Sequence, residues 1–192
     1  MSPLVLLVIG AAACLHKPAV PMRYEKDGFS FTHFSDWRIK DDKLVADGKA
    51  RIITIEGPEN AVMTVSRFAP DNPISLDHYA AILEKKRSEN VEKNFGGVLP
   101  IRTEKAQTES TAAMIAGETR SGLSQVFSIT LLGVNVPHMA NLFLIERGGH
   151  KWILMTQAPS SKWIKVQPGF QKIFDSVIFA AEGEGHSKQD QE

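Results

Sequence analysis

The sequence has no excess of charge of either sign, since 22 Lys and Arg residues balance 22 Asp and Glu residues over 192 positions. Nucleic-acid binding requires a local excess of basic residues, so we expect no nucleic-acid partner. A single cysteine excludes a disulfide scaffold and a zinc site built from several cysteines. With 43% hydrophobic and 23% charged residues, the composition is that of a folded domain with a core.

Local catalytic motifs are also missing. The stretch around Ser124 lacks the second glycine of a Gly-x-Ser-x-Gly nucleophile elbow, and no serine stands three positions before a lysine. No glycine-rich loop precedes a helix as a phosphate site requires. The adjacent acids Asp41 and Asp42 are predicted in a loop with both carboxylates in solvent. We therefore predict no enzyme activity and no cofactor.

Histidine spacing gives no local metal motif. None of the six histidines forms a His-x-x-x-His pair. A site assembled across strands from His33, His138 or His150 stays open as an alternative, but packed or solvated histidines and no bound metal are the prediction.

The first apolar run is too short to span a membrane. Leu4 to Ala13 covers ten residues, whereas a transmembrane helix needs about 20. Such a run followed by small residues is typical of a signal peptide. The small residues before Cys14 resemble the lipobox of bacterial lipoproteins, whose cysteine carries a lipid. The sequence departs from that pattern at Ala11, where Leu is usual, and in having no Lys or Arg before Cys14.

This resemblance predicts a signal peptide over residues 1–13 and a lipid on Cys14, followed by a tether over residues 14–23. It implies a chain anchored in the cell envelope and facing the periplasm. Leu15 after the cysteine implies the outer membrane, if the host has one. Two alternatives remain: ordinary cleavage nearby with Cys14 a bystander, or an N-terminal segment packed on the protein itself.

Hydrophobic patterning in the first half of the globular part predicts strands and one long helix. Ser75 is predicted to cap the helix, Ile74 to pack on Tyr79, and Gly96-Gly97 to end it. The run Glu84 to Arg87 is predicted on the solvent side of this helix, with a partner-binding patch as the alternative. The predicted strands are Phe29–Phe34, Arg38–Lys40, Arg51–Glu56 and Ala61–Phe68, the last two joined as a hairpin through Gly57–Asn60.

The second half is predicted to be mostly strand. Gly148-Gly149 indicates a tight hairpin, Val134–Pro137 is predicted to break the preceding strand pair, and Pro168 is predicted to open a second helix. The tail over residues 181–192 is predicted to be disordered because it lacks large apolar residues. The predicted strands are Ala112–Glu118, Gln125–Val134, Met139–Arg147 and Lys151–Gln157.

This order of elements predicts an α+β domain over residues 24–180 with an antiparallel sheet. Three segments resemble the PsbP/Mog/DcrB-like family: Gly28 to Trp37, Ile74 to Tyr79, and Trp152 to Val177 with its Phe170 and Ile173. The resemblance implies an α/β/α sandwich, in which helices flank a central antiparallel sheet. Family members include photosystem II subunits, Ran-binding factors, secretion chaperones and envelope lipoproteins, so the fold leaves the function open.

The leading functional hypothesis is a non-enzymatic, membrane-anchored lipoprotein that binds or stabilises another envelope protein. An immunity or effector-partner protein of a secretion system is one alternative, and an enzyme with an unrecognised site is another. Trp163, between Lys162 and Lys165 in a predicted loop, is the best candidate for an exposed partner contact, whereas Trp37 and Trp152 are predicted in the core or at a sheet edge.

Overall fold

Two antiparallel sheets and two helices make up the structure, a computed structural model that describes residues 20–45, 48–94 and 101–179. The helices are α1 (Leu76–Asn94) and α2 (Trp163–Asp175). In chain order the strands are β1 (Pro21–Lys26), β2 (Phe29–Phe34), β3 (Arg38–Val45), β4 (Ala50–Glu56), β5 (Val62–Phe68), β6 (Ile101–Thr103), β7 (Gln107–Ile115), β8 (Glu118–Leu131), β9 (Val134–Arg147), β10 (His150–Pro159) and β11 (Ile178–Phe179).

The larger sheet contains eight of the described strands in the order β3-β4-β5-β10-β9-β8, with β6 and β7 both paired to the outer side of β8. The smaller sheet has the order β1-β2-β11. Short 3-10 turns, Pro58–Asn60 and Ser160–Lys162, precede β5 and α2. Within the described ranges, neither helix is long and apolar enough to cross a membrane.

Each face of the larger sheet carries one helix. On β9, Leu142 belongs to the buried cluster under α1, whereas Phe143 belongs to the cluster under α2 and the smaller sheet. On β10, Ile153 and Leu154 divide in the same way, because successive strand residues point to opposite faces. The predicted α+β class and its helix–sheet–helix layering are confirmed.

The N-terminus of α1 is built as predicted. Ser75 Oγ accepts a hydrogen bond from the His78 N–H at 3.2 Å, so Ser75 caps the helix. Ile74 and Tyr79 lie in one buried cluster, together with Ala80. The hydroxyl groups of Tyr79 and Ser66 lie 2.9 Å apart and tie α1 to β5.

The two predicted tight connections are confirmed. β4 and β5 form a hairpin through Gly57–Asn60. Gly148 and Gly149 join β9 to β10 with φ angles of 57° and 64°. Such positive angles are easily adopted by glycine, which has no Cβ. Trp37 and Trp152 are buried in the core as predicted.

Two other turns fall inside segments predicted as strand or break. Ala116 and Gly117 have φ angles of 51° and 78°, and they end β7 within the predicted strand Ala112–Glu118. Leu132 and Gly133 turn β8 into β9 in the same way, at 51° and 79°. The predicted break at Val134–Pro137 was therefore wrong, because these residues begin β9 and pair with β8. Both turns contain a non-glycine residue at positive φ, which single-sequence turn signals miss.

The start of the domain also differs from the prediction. Residues 21–23 of the predicted tether lie in β1, where Arg23 pairs with Thr32 of β2. The predicted loop at Asp41 and Asp42 lies within β3, which continues to Val45 after a register shift between Ile39 and Asp41. Asp42 is not solvated as predicted, since Arg51 and Tyr24 donate hydrogen bonds to it.

The second helix begins five residues earlier than predicted, at Trp163 rather than Pro168. Pro168 lacks an N–H and leaves the carbonyl of Ile164 without its helical partner. Ile164 is 87% exposed, so its carbonyl group lies on the solvent side of α2, where water can bind it. Val166 and Phe170, four residues apart, are both buried, so the helical turns before and after Pro168 pack on the sheet. The spacing of seven residues from Phe170 to Val177 predicts that Val177 also belongs to this helix, but it follows the C-cap Ser176 and is buried beyond the helix end.

Several predictions concern residues outside the described ranges. They are the signal peptide over residues 1–13, the lipid on Cys14, the first part of the tether, the helix end at Gly96-Gly97, and the tail over residues 181–192.

Candidate functional site

A row of polar side chains crosses the α2 face of the larger sheet. Glu109 of β7 pairs with Ser124 of β8, Ser124 with Asn141 of β9, and Asn141 with Thr156 of β10. Residues directly opposite each other on antiparallel strands share a face and lie close together. These four residues, the polar row, therefore form one strip perpendicular to the strands.

The position of the polar row is unusual for a sheet core. The neighbouring row on this face includes Phe143 and Leu154, which are fully buried apolar residues. Thr156 is as buried as they are, at 2% exposure. Burying a polar group is unfavourable unless it forms hydrogen bonds. Ser124 and Asn141 are half-buried, and Glu109 at the outer end of the row is exposed. Packing alone would favour apolar groups at Thr156 and at the buried oxygen of Asn141, so this inner part of the polar row points to a functional requirement.

Helix α2 covers the polar row and leaves a cleft. Trp163, Gln167, Phe170, Gln171 and Phe174 line it from the helix, at spacings of three and four residues that place them on one face. The cleft has a volume of about 380 Å³, within the size range of ligand pockets. Ser110 and Ala112 also line it, so the cleft reaches the outer edge of β7.

One acceptor in the cleft has no partner. Asn141 Oδ1 is buried and receives no hydrogen bond from any described residue. Beside it on α2, Gln171 Nε2 is already engaged, donating to the Met114 carbonyl at 2.9 Å and to Asp175 Oδ1 at 2.7 Å. A buried carbonyl-type oxygen without a donor is unfavourable by about 1–3 kcal/mol. A ligand that donates a hydrogen bond to Asn141 would remove this cost.

The chemistry of the cleft is that of neutral hydrogen bonding beside aromatic surface. Among the described residues that line it, Glu109 is the one ionisable side chain. The remaining polar side chains of the lining on this face are those of Thr111, Ser124, Asn141, Thr156, Trp163, Gln167 and Gln171. Ser110 alternates with Glu109 along β7, so it borders the cleft through its backbone. A lining with one acid and no base favours ligands that donate hydrogen bonds and disfavours anions.

The three predicted contact residues are separated by the structure. Trp163 is the first residue of α2 rather than part of a loop, and it is half-buried, with its ring centroid 5.7 Å from that of Phe170. It lines the cleft. Lys162 and Lys165 instead bind Glu59, Lys162 Nζ at 3.1 Å, and do not line the cleft. Hydrogen bonds from Lys165 and then Lys162 lower the pKa of Glu59.

The predicted solvent-exposed run on α1 is only partly on the solvent side. Arg87 turns towards the sheet, with its guanidinium carbon 3.8 Å from the ring centroid of Phe127. Its Nη2 donates to Gln125 Oε1 at 2.9 Å. Burial lowers the pKa of Arg87 to about 10. The prediction for Arg87 was wrong because its position on the helix faces β8, on the side of the sheet opposite the cleft.

The histidines named for a possible metal site do not come together. Nδ1 of each ring donates to a nearby carbonyl: His33 to Trp37 at 2.8 Å, His138 to Val136 at 2.9 Å, and His150 to Gly148 at 2.7 Å. Across the described ranges, no three His, Cys, Asp or Glu residues are placed to hold a metal ion.

The polar row was not predicted from the sequence, although part of its signal is present there. Asn141 interrupts the apolar run Met139–Ile145, and Thr156 follows the apolar run Trp152–Met155. A polar residue on the buried face of a strand is informative. The register that aligns these residues joins positions up to 47 apart in the chain, from Glu109 to Thr156, and no local pattern contains it.

Comparison with known proteins gives structural likeness without sequence relatives. No protein-family model and no curated protein matches the chain. Cyanobacterial PsbP from Synechocystis sp. PCC 6803 has 15% identity and a TM-score of 0.48, covering 89% of this chain and 98% of its own. Ran-binding Mog1p from Saccharomyces cerevisiae has 7% identity and a TM-score of 0.44, covering 85% and 97%.

LpqN from Mycobacterium tuberculosis, described as involved in cell envelope biogenesis, has 14% identity and a TM-score of 0.41. The match covers 85% of this chain and 91% of LpqN. These likenesses assign the chain no partner, activity or cellular location.

Proposed function

We propose that this protein is a non-enzymatic binding protein of the cell envelope, anchored through a lipid on Cys14, and that the cleft under α2 binds another envelope protein. The observation that carries the proposal is the polar row with its unpartnered acceptor, Asn141 Oδ1. A core without a binding role has no use for the buried Thr156 and the buried oxygen of Asn141, because apolar groups would pack there at lower cost.

Binding accounts for the composition of the cleft better than catalysis does. Polar residues do converge in a pocket, as the enzyme alternative requires. General acid–base catalysis uses a positioned pair of groups with tuned proton affinities. Glu109 stands as the one ionisable group in the described lining, among neutral hydroxyls and amides. Such a lining holds a ligand by hydrogen bonds and aromatic contact, with Trp163 at its rim.

The lipid anchor is proposed on sequence alone. Cys14 follows the apolar run and the small residues that resemble a lipobox. The formal charge of the chain is zero, so electrostatic attraction to an anionic membrane would not hold the globule there. A lipid on Cys14 would supply that attachment and keep the cleft near other envelope proteins.

Site-specific photocrosslinking in the native envelope tests the binding role. A benzophenone amino acid replaces Gln167, which lines the cleft and is exposed. The control places it at exposed Lys85 on α1, beyond the opposite face of the sheet. We expect one protein adduct of defined mass from position 167, none from position 85, and loss of the adduct when Asn141→Leu is added.

Equal adducts from both positions, or no protein adduct from position 167, would overturn the proposed role. Retention of the adduct in the Asn141→Leu chain would show that the partner contacts the cleft without using Asn141 Oδ1, and it would overturn the role given to that acceptor.

A further inference from the structure

Among the described residues, the β7 end of the larger sheet lacks the features that usually protect an edge strand. β7 lies outside β8, and its nine residues pair with β8 without a register shift. The segment contains no Pro, Lys or Arg, and its one charge is Glu109. Exposed edge strands are usually protected by such residues or by bulges. β3, at the other end of the sheet order, has both devices: Arg38, Lys40 and Lys43, and a register shift after Ile39.

The free backbone groups of β7 can be assigned to particular residues. The Met114 carbonyl accepts a hydrogen bond from Gln171, and the Ala116 N–H donates to the Phe174 carbonyl, so both point towards α2 and away from β8. Antiparallel strands alternate between residues whose N–H and C=O face the partner strand and residues whose groups face away. Thr108, Ser110 and Ala112 therefore direct their N–H and C=O groups outward.

These outward groups have no protein partner in the described part of the chain. No backbone hydrogen bond joins Thr108, Ser110 or Ala112 to a segment beyond the sheet. All three residues are exposed. Helix α2 covers the outer edge of β7 only from Met114 onward, through Gln171 and Phe174. Residues 108–112 therefore present an open edge next to the cleft.

We propose that the partner docks as an extended peptide strand on the outer edge of β7, with a hydrogen-bonding side chain in the cleft; this inference rests on the proposed binding function. A strand added to a sheet edge is held by main-chain hydrogen bonds, and pockets for alternate side chains give selectivity. Ser110 and Ala112 both border the cleft and carry outward backbone groups. A single docked strand can therefore form hydrogen bonds with the backbone of β7 and place a side chain at the border of the cleft.

The cleft also defines the side chain that enters it. A strand docked on β7 lies next to Glu109, whose carboxylate accepts hydrogen bonds and repels a second acid. Asn141 stands two strands further in, roughly 10 Å beyond β7, and is out of reach of the docked side chains. The docked strand therefore places a hydroxyl, amide or amine side chain on the α2 face and not an aspartate or glutamate.

A second copy of this chain fits the edge less well. Two identical antiparallel edges are related by a two-fold axis perpendicular to the sheet, which keeps both α2 helices on one face. Each α2 would then approach the other molecule's cleft, whose volume of about 380 Å³ accommodates individual side chains. A helix with side chains is about 10–12 Å across and requires more room.

The test uses random peptides displayed on phage, selected against the full chain in detergent micelles. The decisive variant is Ser110→Pro, which removes an outward N–H and leaves the β7–β8 hydrogen bonds in place. The matched control is Ser110→Ala, which keeps that N–H. We expect selected peptides to bind Ser110→Ala like the unmodified chain and Ser110→Pro about tenfold more weakly or worse, as loss of a main-chain contact predicts.

Hydrogen exchange provides a second measurement that needs no substitution. A bound peptide should slow exchange of the Thr108, Ser110 and Ala112 amides, whereas binding only inside the cleft would leave them unchanged. Cooperative unfolding checks that Ser110→Pro is folded. If it is not, Ala112→Pro is used instead, because it removes the next outward N–H along β7.

Three outcomes would overturn docking of a partner peptide on this edge: no peptide is selected, peptides bind Ser110→Pro and Ser110→Ala equally, or the chain sediments as a dimer that Ser110→Pro dissociates. If the crosslink from position 167 persists in Ser110→Pro, the cleft binds a protein and only the docking mode is wrong. If the benzophenone at position 167 gives no protein adduct in a chain without further substitutions, the binding function itself is rejected.

Discussion

Arg51 and Asp42 form a two-point ion pair between neighbouring strands. Arg51 Nε donates to Asp42 Oδ1 at 2.6 Å, and Nη2 donates to Oδ2 at 2.7 Å. The Arg51 side chain is 6% exposed, and its Nη1 also binds Asp27 at the turn after β1. Tyr24 of β1 donates to the same carboxylate at 2.9 Å. The pair therefore links the smaller sheet to β3 and β4 of the larger one.

Removing the charge of Asp42 should destabilise the protein strongly. Asp42→Asn leaves the buried Arg51 with one acidic partner, Asp27, so we expect the free energy of unfolding to fall by about 2–3 kcal/mol. Asp41→Asn is the control, because its exposed pair with Lys43 is worth less than about 1 kcal/mol. Urea unfolding of the two variants measures the difference, and equal losses would contradict this role for Arg51.

The same pair predicts how stability depends on pH. Hydrogen bonds from Arg51 are the largest cause that lowers the pKa of Asp42 below 3.8, and Tyr24 and the nearby positive charges act in the same direction. The pKa of Asp42 is lower in the folded state than in the unfolded state. The stability that its ionised carboxylate contributes is therefore complete above the unfolded-state pKa and is lost as pH falls through the folded-state pKa. The stability difference between the unmodified chain and Asp42→Asn should shrink below pH 3.8.

Unfolding free energies measured from neutral pH down to the acid transition check this pH dependence. A difference that stays constant throughout that range would show that Asp42 is not ionised in the folded protein. Burial and the hydrogen bond to Asp42 raise the pKa of Tyr24 to about 12, so its phenol should ionise at higher pH than an exposed tyrosine.

A methyl group at Gly169 should be destabilising although the residue lies in a helix. Alanine normally favours a helix over glycine by about 1 kcal/mol. Here the new Cβ would lie 2.6 Å from Cζ2 of the Trp37 ring, which is buried between Gly57 and Gly169. Overpacking of this kind costs about 1–3 kcal/mol, so we expect a lower melting temperature for Gly169→Ala.

Trp37→Phe provides the matched background for that substitution, because its smaller ring leaves space for the added methyl group. Gly169→Ala should therefore cost less in the Trp37→Phe chain than in the unmodified one. Independent, additive effects in this double-mutant cycle would show that Trp37 is not the residue responsible.

Asn141→Leu should separate stability from binding. It removes a buried acceptor to which no described residue donates a hydrogen bond, so we expect the melting temperature to stay the same or rise. Binding through the cleft should be lost in the same variant. Asn135→Leu, an exposed position on β9, is the control and should leave binding intact. A clear loss of stability in Asn141→Leu would show that Asn141 serves the fold.

Cys14→Ser should abolish lipid attachment. Metabolic labelling with a palmitate analogue should mark the unmodified chain, and the variant should lose both the label and its membrane association. A control that combines Cys14→Ser with Ser35→Cys restores one cysteine elsewhere and should remain unlabelled. Labelling of Cys14→Ser at the level of the unmodified chain would reject the anchor.

Local signals predicted much of the secondary structure. The Ser75 cap, the Gly148-Gly149 hairpin and the β4–β5 hairpin depend on residues within a few positions of each other, and all three were confirmed. The predictions that failed involve distant partners. Trp163 starts α2 because the helix packs on the sheet, although Pro168 is the stronger local signal.

The candidate site shows the same difference between local signals, which the sequence contains, and distant contacts, which it does not reveal. The sequence singled out Trp163, and the structure places it in the lining of the cleft. Its charged neighbours Lys162 and Lys165 are bound to Glu59, more than a hundred residues away. Glu109, Ser124, Asn141 and Thr156 come from four strands and become one surface only through register.

The sequence by itself therefore determined the class of the domain, since alternating apolar residues and turn glycines are local and set the order of strands and helices. It also supplied the single cysteine on which the proposed anchor depends. Only the tertiary structure decided which polar residues meet, because pairing across β7, β8, β9 and β10 aligns them under α2. The open edge of β7 is likewise a result of sheet order, which no single strand encodes.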